Sequence, residues 1–246
     1  MASTPKQPRK SSRSAPIDAP PKAGLFARIR RGAIKGVVAV AGVFAALILL
    51  FSFAPPLINI YQVQEAWRQG GISKDWTGWD DIAPEMARAI VAAEDANFCN
   101  HWGFDVAAIR DAVSEGSMRG ASTLTQQTVK NVFLWHGRSY IRKALEAVLT
   151  PAVEFVWSKQ RILEVYMNIA EFGTGIFGVQ AAAQHFFGVD AADLTATQAA
   201  RLAAVLPDPK GRDPNGKSGF MRRRTASILS GAQTIAADGR ARCFQY

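Results

Sequence analysis

The most constraining feature of this sequence is a run of 19 residues without a charged side chain, Gly36–Ala54. As a helix the run would be roughly 28 Å long, which nearly matches the hydrocarbon core of about 30 Å in a typical bilayer. It is apolar on every face, and this favours a membrane span over a helix buried in a protein core. Arg28, Arg30, Arg31 and Lys35 precede the run, so the positive-inside rule predicts a cytoplasmic N-terminus.

Small residues near the end of the run leave a second interpretation open. Ser52 and Ala54 resemble a small-x-small cleavage site, so a cleaved signal peptide is the alternative to a retained anchor. The run exceeds the apolar length of about 7–15 residues that is usual in signal peptides, and two prolines follow it directly. We therefore expect a single-pass anchor, with the chain after Ala54 outside the cytoplasm, where disulfides are permitted. Cys99 and Cys243 would there form either one bridge or two free thiols.

Positive charge is concentrated at the start of the chain. The formal net charge is +9, but residues 1–35 carry nine Lys or Arg against the single acidic residue Asp18. The rest of the chain is close to neutral, which argues against a nucleic-acid partner. Because the start is rich in Pro, Ser, Lys and Arg, we expect residues 1–35 to form a disordered basic cytoplasmic arm, followed by a transmembrane helix over residues 36–54.

The remainder predicts a mainly α fold. Residues 55–81 contain three Trp without a clear period and are expected to be a connector to a domain over residues 82–246. In that domain apolar residues recur at helical spacing, capping residues mark helix starts, and no stretch alternates with a period of two, so any sheet should be minor. The predicted helices are 84–95, 104–115, one capped by Ser122 and ending near Phe133, one capped by Ser139 and kinked or ended by Pro151, 159–170, 195–206 and 219–236.

Glu94 is the first candidate catalytic residue. It continues a helical stripe formed by the apolar residues Ala87, Ile90 and Val91. A carboxyl group in such a place loses part of its hydration, and this raises its pKa toward the range useful for proton transfer. The alternative is structural, since either Glu94 or its neighbour Asp95 could cap a helix or pair with an arginine.

A polar stripe on the following helix is the second candidate feature. Thr123, Gln126, Gln127 and Lys130 are spaced so that they share one face of a helix. Uncharged hydrogen-bonding groups that end in one cation suit a ligand with several oxygens and negative charge, such as a sugar or a pyrophosphate. An ordinary solvent-facing stripe is the alternative.

Glu146 is the second candidate acid. It lies four residues after Arg142 and three after Lys143, which predicts either a local ion pair or a carboxylate held among cations for chemistry. Together with Glu94 it supplies the two separated carboxylates that glycosyl chemistry commonly uses.

In combination, five ordered segments resemble the peptidoglycan glycosyltransferases, in particular the monofunctional biosynthetic transglycosylases. Departures from the family pattern are slight, such as Ala121 where a second Gly is frequent and Met167 where Leu is usual. The segments are EDANFCNHWGFD from Glu94, GASTLTQQTVKN from Gly120, RKALE from Arg142, KQRILEVYMNIAEFGTGIFGVQAAAQHFFG from Lys159 and AARLAAVLPDP from Ala199.

The resemblance implies a lysozyme-like, two-lobed glycosyltransferase domain preceded by one transmembrane helix in a bacterial inner membrane, with the catalytic domain in the periplasm. Lipid II would be the acceptor and a growing glycan chain on undecaprenyl pyrophosphate the donor. By this resemblance, Glu94 takes the proton from the acceptor's 4-hydroxyl, and a β-1,4 link forms with inversion at C1. A transpeptidase domain, present in bifunctional relatives, is not expected here.

The same resemblance implies roles for the other residues. Lys130, Arg138 and Glu146 would stabilise the departing pyrophosphate, directly or through a divalent cation, Mg²⁺ or alternatively Mn²⁺. The membrane and proteins of cell-wall synthesis or division are the further partners expected. A peptidoglycan-cleaving enzyme and a non-catalytic wall-binding scaffold remain alternatives. The substrate-binding residues would be Ser122, Thr123, Gln126, Gln127, Lys130, Asn131, Arg138 and Arg142.

Overall fold

The first helix, α1, spans Leu25–Phe51 in the computed structural model, which describes residues 24–114, 116 and 122–245. Its apolar part is long enough to cross a membrane, but it begins and ends earlier than the predicted span 36–54. Residues 25–35, predicted as part of a disordered arm, are helical because a helix propagates easily once its first turn exists. The rest of that predicted arm lies outside the described residues.

The segment predicted as a connector contains regular structure. Helix α2 spans Ile60–Gln69 and is capped by the Asn59 side chain, and strand β1 follows at Ser73–Lys74. The residues of α2 that are fully buried are the polar Gln62 and Glu65. An apolar period was therefore absent from the sequence although the helix has a buried face.

The predicted helices are confirmed, with shifted ends. Helix α6 continues through Pro151, so the prediction that this proline might end the helix is wrong. Thr123, not Ser122, is the N-cap of α5, whereas Ser139 does cap α6. These helices are α3 (Pro84–Glu94), α4 (Val106–Ser114), α5 (Leu124–Phe133), α6 (Tyr140–Val156) and α7 (Lys159–Ile169).

The second half of the domain adds a small sheet and three more helices. Strands β2 (Glu171–Gly173) and β3 (Ile176–Phe177) pair antiparallel, and β1 joins β3 in parallel. The sheet is minor, as expected. Helix α8 (Val179–Phe187) was not predicted from the sequence, because its alanine-rich first half shows no polar face. Helices α9 and α10 follow at Ala196–Val205 and Gly219–Ala237.

Two groups of helices pack around the core. Helices α3, α9 and α10 contact one another, and α5 contacts both α6 and α7. Residues such as Met86, Ile90 and Leu163 are fully buried between them. The C-terminal end of α3 meets the N-terminal end of α5, and this junction brings Glu94 to the polar stripe of α5.

A disulfide links the region after α3 to the C-terminal end of the chain. Cys99 and Cys243 are bonded, and their Cα atoms are 5.5 Å apart. The bond closes a loop across 144 residues of sequence and holds the final segment against the loop that follows Glu94.

Replacing Cys243 with serine should lower the free energy of unfolding by about 3–5 kcal/mol, because the bond restricts the unfolded chain. The measurement is thermal unfolding in detergent, with and without reductant. Cys99→Ser should give the same loss, and the double variant should lose no more than either single one. A wild-type melting temperature that reductant leaves unchanged would contradict this expectation.

Candidate active site

Glu94 ends α3 and begins a chain of hydrogen bonds. Its Oε2 accepts a hydrogen bond from Nε2 of Gln127 at 2.9 Å, and Oε1 of Gln127 accepts one from the Tyr166 hydroxyl at 3.2 Å. Burial raises the pKa of Glu94, and the Gln127 hydrogen bond and the nearby charges of Arg224 and Lys130 partly offset the rise. The apolar stripe is buried as expected, so the raised pKa has the cause that the sequence predicted.

Asp95 is the acid that caps a neighbouring helix. Its Oδ2 accepts a hydrogen bond from the backbone N–H of Leu124 at 2.9 Å, and its Oδ1 lies 2.8 Å from Nε2 of His101. Asp95 is buried. Because Leu124 is the first residue of α5, Asp95 fixes the start of α5 next to Glu94.

The first two residues of the predicted polar stripe form hydrogen bonds that cap the start of α5. Thr123 and Gln126 form a reciprocal capping box, and both are buried. The Thr123 hydroxyl also donates to the carbonyl of Gly103 at 2.7 Å. A Cβ on Gly103, whose φ is +83°, would come within 2.7 Å of Thr150, so only glycine allows this close approach.

Ser122, the residue before the N-cap of α5, differs from Thr123 and Gln126 in its exposure. Ser122 is exposed and lines a cavity of about 280 Å³ together with Glu94 and Asn97. A substrate hydroxyl in this cavity would lie beside the Glu94 carboxyl group. Of the predicted binding residues near the start of α5, Ser122 is exposed and Gln127 is partly buried, whereas Thr123 and Gln126 are buried.

Lys130 lies two turns into α5 and is partly buried. Burial lowers the pKa of its ammonium group; the Glu146 carboxylate opposes that change, while the like charges of Arg142 and Lys143 add to it. The negative charge of Glu94 also opposes the lowering of the Lys130 pKa. The cation therefore lies within electrostatic reach of both candidate acids.

Glu146 is buried with only 2% of its surface exposed, and cations hold both of its oxygens. Oε2 accepts from Nη1 of Arg142 at 2.7 Å, and Oε1 pairs with the ammonium group of Lys143. Arg142 also donates to the carbonyl of Gly137 at 3.1 Å. Glu146 thus fixes the Arg142 guanidinium beside the loop between α5 and α6.

That loop carries Arg138, which is exposed. Asn131 at the end of α5 is hydrogen-bonded to Nε2 of His136 at 2.9 Å, and the His136 ring stacks on Tyr61 of α2 with centroids 3.8 Å apart. Burial lowers the pKa of His136 to about 4, so this imidazole is neutral near pH 7. Asn131 therefore helps to fix the conformation of this loop.

Three residues near Glu94 were not among the predicted site residues. Asp95 was set aside in favour of Glu94, although the sequence showed the pair. Tyr166 lies in the predicted helix 159–170 but was not singled out as a site residue. Arg224 of α10, which donates to the carbonyl of Ala93 at 3.1 Å, has no sequence signal, because only the packing of α10 on α3 brings it to the site.

The arrangement combines a carboxyl group whose pKa is raised with a group of cations. A carboxyl group with a raised pKa can accept a proton from a hydroxyl group near neutral pH. Lys130, Arg138 and Arg142 carry positive charge on the α5–α6 side, where they can stabilise a leaving group that gains negative charge. These are the two requirements for transferring a glycosyl group from a phosphate leaving group to an alcohol.

Comparison with known proteins finds relatives that cover most of this chain. A family model described as Transglycosylase matches residues 62–233. A biosynthetic peptidoglycan transglycosylase of Jannaschia sp. (strain CCS1) is 55% identical over 224 residues, which cover 91% of this chain and 94% of the relative. Relatives with the same name from Cronobacter sakazakii and Pectobacterium atrosepticum are 48% and 47% identical, over 89% and 87% of this chain and 95% and 93% of their own.

Proposed function

Because this chain belongs to the transglycosylase family, we propose that it is a glycosyltransferase that polymerises lipid II into β-1,4-linked glycan strands. The observation that carries the proposal is Glu94, a carboxyl group with a raised pKa that is within reach of the Lys130 charge. This pairing of a base with a cation serves transfer from a pyrophosphate, whereas hydrolysis of a glycan needs no cation for its leaving group.

In the proposed reaction the Glu94 carboxylate removes the proton from the 4-hydroxyl of lipid II. The resulting oxygen attacks C1 of the growing chain from the side opposite the pyrophosphate, so the configuration at C1 inverts. The C1–oxygen bond to the pyrophosphate breaks, and undecaprenyl pyrophosphate leaves with the electron pair. Gln127 orients the carboxylate through its 2.9 Å hydrogen bond.

The cations act on the leaving group. Three cations lie on this side of the site: Lys130 on α5, Arg138 on the loop after it and Arg142 on α6. We propose that they bind the pyrophosphate oxygens. Glu146 acts indirectly, because it is paired with Arg142 and Lys143 and holds Arg142 in place. Ser122 and Asn131 would contact the sugars and phosphates, while Thr123 and Gln126 act by capping α5.

A divalent cation, Mg²⁺ or Mn²⁺, is the cofactor that the family resemblance implies. Within the described parts of the chain, no group of three or more His, Cys, Asp or Glu side chains could hold one, and both Glu146 oxygens are paired with basic side chains. These residues do not fit a resident metal ion, and the reaction proposed above does not use one. Adding EDTA to the polymerisation assay tests whether a cation is required.

Incubation of the purified full-length protein with labelled lipid II tests the proposed function. We expect a glycan polymer that a muramidase digests to disaccharide units, together with free undecaprenyl pyrophosphate. Cleavage of existing glycan without polymer would instead identify a peptidoglycan-cleaving enzyme. If neither product forms, the protein would be a non-catalytic wall-binding protein. Either of these two results would overturn the proposal.

We also propose that α1 anchors the protein in the bacterial inner membrane with its catalytic domain in the periplasm, where proteins of cell-wall synthesis or division could act with it. The basic residues before the apolar run and the apolar length of α1 support this topology.

Alkaline carbonate should fail to extract the protein from membranes, because insertion of a transmembrane helix is effectively irreversible. The measurement is immunodetection in the pellet and the supernatant, with a peripheral membrane protein as the extracted control. Release into the supernatant, or a mature N-terminus near Pro55, would contradict the retained anchor.

A further inference from the structure

The C-terminal end of α1 is held by a side chain from α7. Arg161 donates from Nε and Nη2 to the carbonyl of Phe51 at 3.1 and 3.0 Å, and from Nη2 to the carbonyl of Ala54 at 2.7 Å. The last carbonyls of a helix have no partner within the helix, and the guanidinium fork supplies several donors in one plane. Arg161 therefore fixes where α1 ends relative to α7.

A second contact lies one turn earlier on α1. Nε1 of Trp157 donates to the carbonyl of Ile48 at 2.7 Å, and both residues are buried. That carbonyl already accepts the backbone N–H of Ser52, so the indole adds a donor that the helix does not itself need. Its geometry serves attachment of α1 to the domain and not completion of the helix.

Aromatic packing joins the same part of α1 to α5. The Phe133 ring lies 6.4 Å from the ring of Phe44, 6.1 Å from that of Phe51 and 6.1 Å from that of Trp157, centroid to centroid. Phe133 is the last residue of α5. Lys130 is three residues earlier on the same helix, about 4.5 Å along its axis, so the anchor is attached close to the cation of the site.

We propose that Arg161, Trp157 and Phe133 form an anchor clamp that sets the height of the catalytic groups above the membrane, which makes Arg161 a positioning residue for lipid-linked substrate. The inference rests on the proposed function. A pyrophosphate that is attached to a membrane-embedded isoprenoid tail is confined to the membrane surface. A domain fixed to the end of its own apolar helix meets that pyrophosphate at one height, while a loosely attached domain samples many heights.

The anchor clamp predicts a loss of activity that depends on the substrate, because the height of the domain matters only when the membrane confines the substrate. A purely structural role predicts no such dependence. In vesicles that contain undecaprenyl-linked lipid II, Arg161→Ala should lower kcat/KM for polymerisation about tenfold or more, since small displacements of reacting groups are costly. With a short-chain lipid II analogue that dissolves without detergent, the full-length variant should retain the wild-type kcat/KM within about twofold.

Three further variants sharpen the test. Arg161→Lys keeps a cationic donor and should restore part of the vesicle activity. Trp157→Phe keeps an aromatic ring but removes the donor to Ile48, so it should show the same substrate-dependent loss. This variant is the test if Arg161→Ala does not fold. Arg161 also forms an i,i+3 ion pair with Glu164 at 2.9 Å. Arg88→Ala is therefore the matched control, because it removes an i,i+3 ion pair with Glu85 outside the clamp and the catalytic site, and it should change neither activity.

Equal loss with both substrates in the folded Arg161 and Trp157 variants would show that these residues only stabilise the domain, and it would overturn the proposal. Unchanged vesicle activity in those variants would overturn it as well. If the wild type polymerises neither substrate, the proposed function itself fails, and that result is distinct from both outcomes.

Discussion

Glu94→Gln should lower the rate of lipid II polymerisation about a thousandfold while leaving the protein folded and able to bind its substrate. Glutamine has nearly the shape of glutamate, and its amide oxygen can still accept the hydrogen bond from Gln127, but it cannot take up the proton of the attacking hydroxyl. Loss of a general base costs about a thousandfold in rate. The measurements are the initial rate of polymer formation, the affinity for lipid II and the melting temperature.

Glu85→Gln is a matched control for this variant. Glu85 lies in the first turn of the same helix, α3, and forms a partly exposed ion pair with Arg88 at 2.9 Å. Its replacement should leave polymerisation near the wild-type rate. A folded Glu94→Gln protein that also polymerises at that rate would show that another group is the base, and the proposed mechanism would be wrong.

Glu146→Gln should slow turnover for a different reason. The substitution removes the negative charge that holds Arg142 and Lys143, and it leaves both cations beside Lys130 without compensation. We expect a loss of about a hundredfold in rate, as for removal of one group that stabilises transition-state charge, and a loss of about 1–3 kcal/mol in the free energy of unfolding, because a buried charged hydrogen bond is broken.

Lys143→Gln separates the two partners of Glu146. The Lys143 side chain is 48% exposed whereas that of Arg142 is 14% exposed, so loss of Lys143 should change turnover only slightly. The activity that remains in Glu146→Gln should still fall at acid pH, because Glu94 is intact. Wild-type turnover in a folded Glu146→Gln protein would refute the role given to Glu146.

Local patterns explain which parts of the fold were predictable. The stripe of Ala87, Ile90 and Val91 predicted both α3 and the burial of Glu94, because one helix face carries the whole signal. Helix α2 was missed because its buried residues are polar, and each of them has a partner outside the helix. Glu65 pairs with Lys210 at 2.7 Å, and Gln62 accepts from Lys74 at 3.0 Å.

The candidate site was predictable where its residues are neighbours on one helix. Glu146 and its two cations are neighbours on one helix, so their pairing followed from spacing alone. The sequence predicted one polar face on α5, but Thr123 and Gln126 are used by the capping box. Ser122 and Thr123 are both suitable caps, so the sequence did not decide between them. The position of Arg224 depends on the packing of α10 on α3 and leaves no pattern in the sequence.

The dependence of kcat/KM on pH, compared between the wild type and Glu94→Gln, tests the central claim most directly, because it assigns the proton uptake to one carboxyl group. Burial raises the pKa of Glu94, so the carboxylate takes up a proton, and the rate falls, at a higher pH than for an ordinary glutamate. Burial lowers the pKa of Lys130, so its charge and the rate are lost at a lower pH than for an ordinary lysine. We predict a bell-shaped profile whose acidic limb Glu94→Gln abolishes; a flat profile, or an acidic limb that persists in Glu94→Gln, would contradict the assignment of Glu94 as the base.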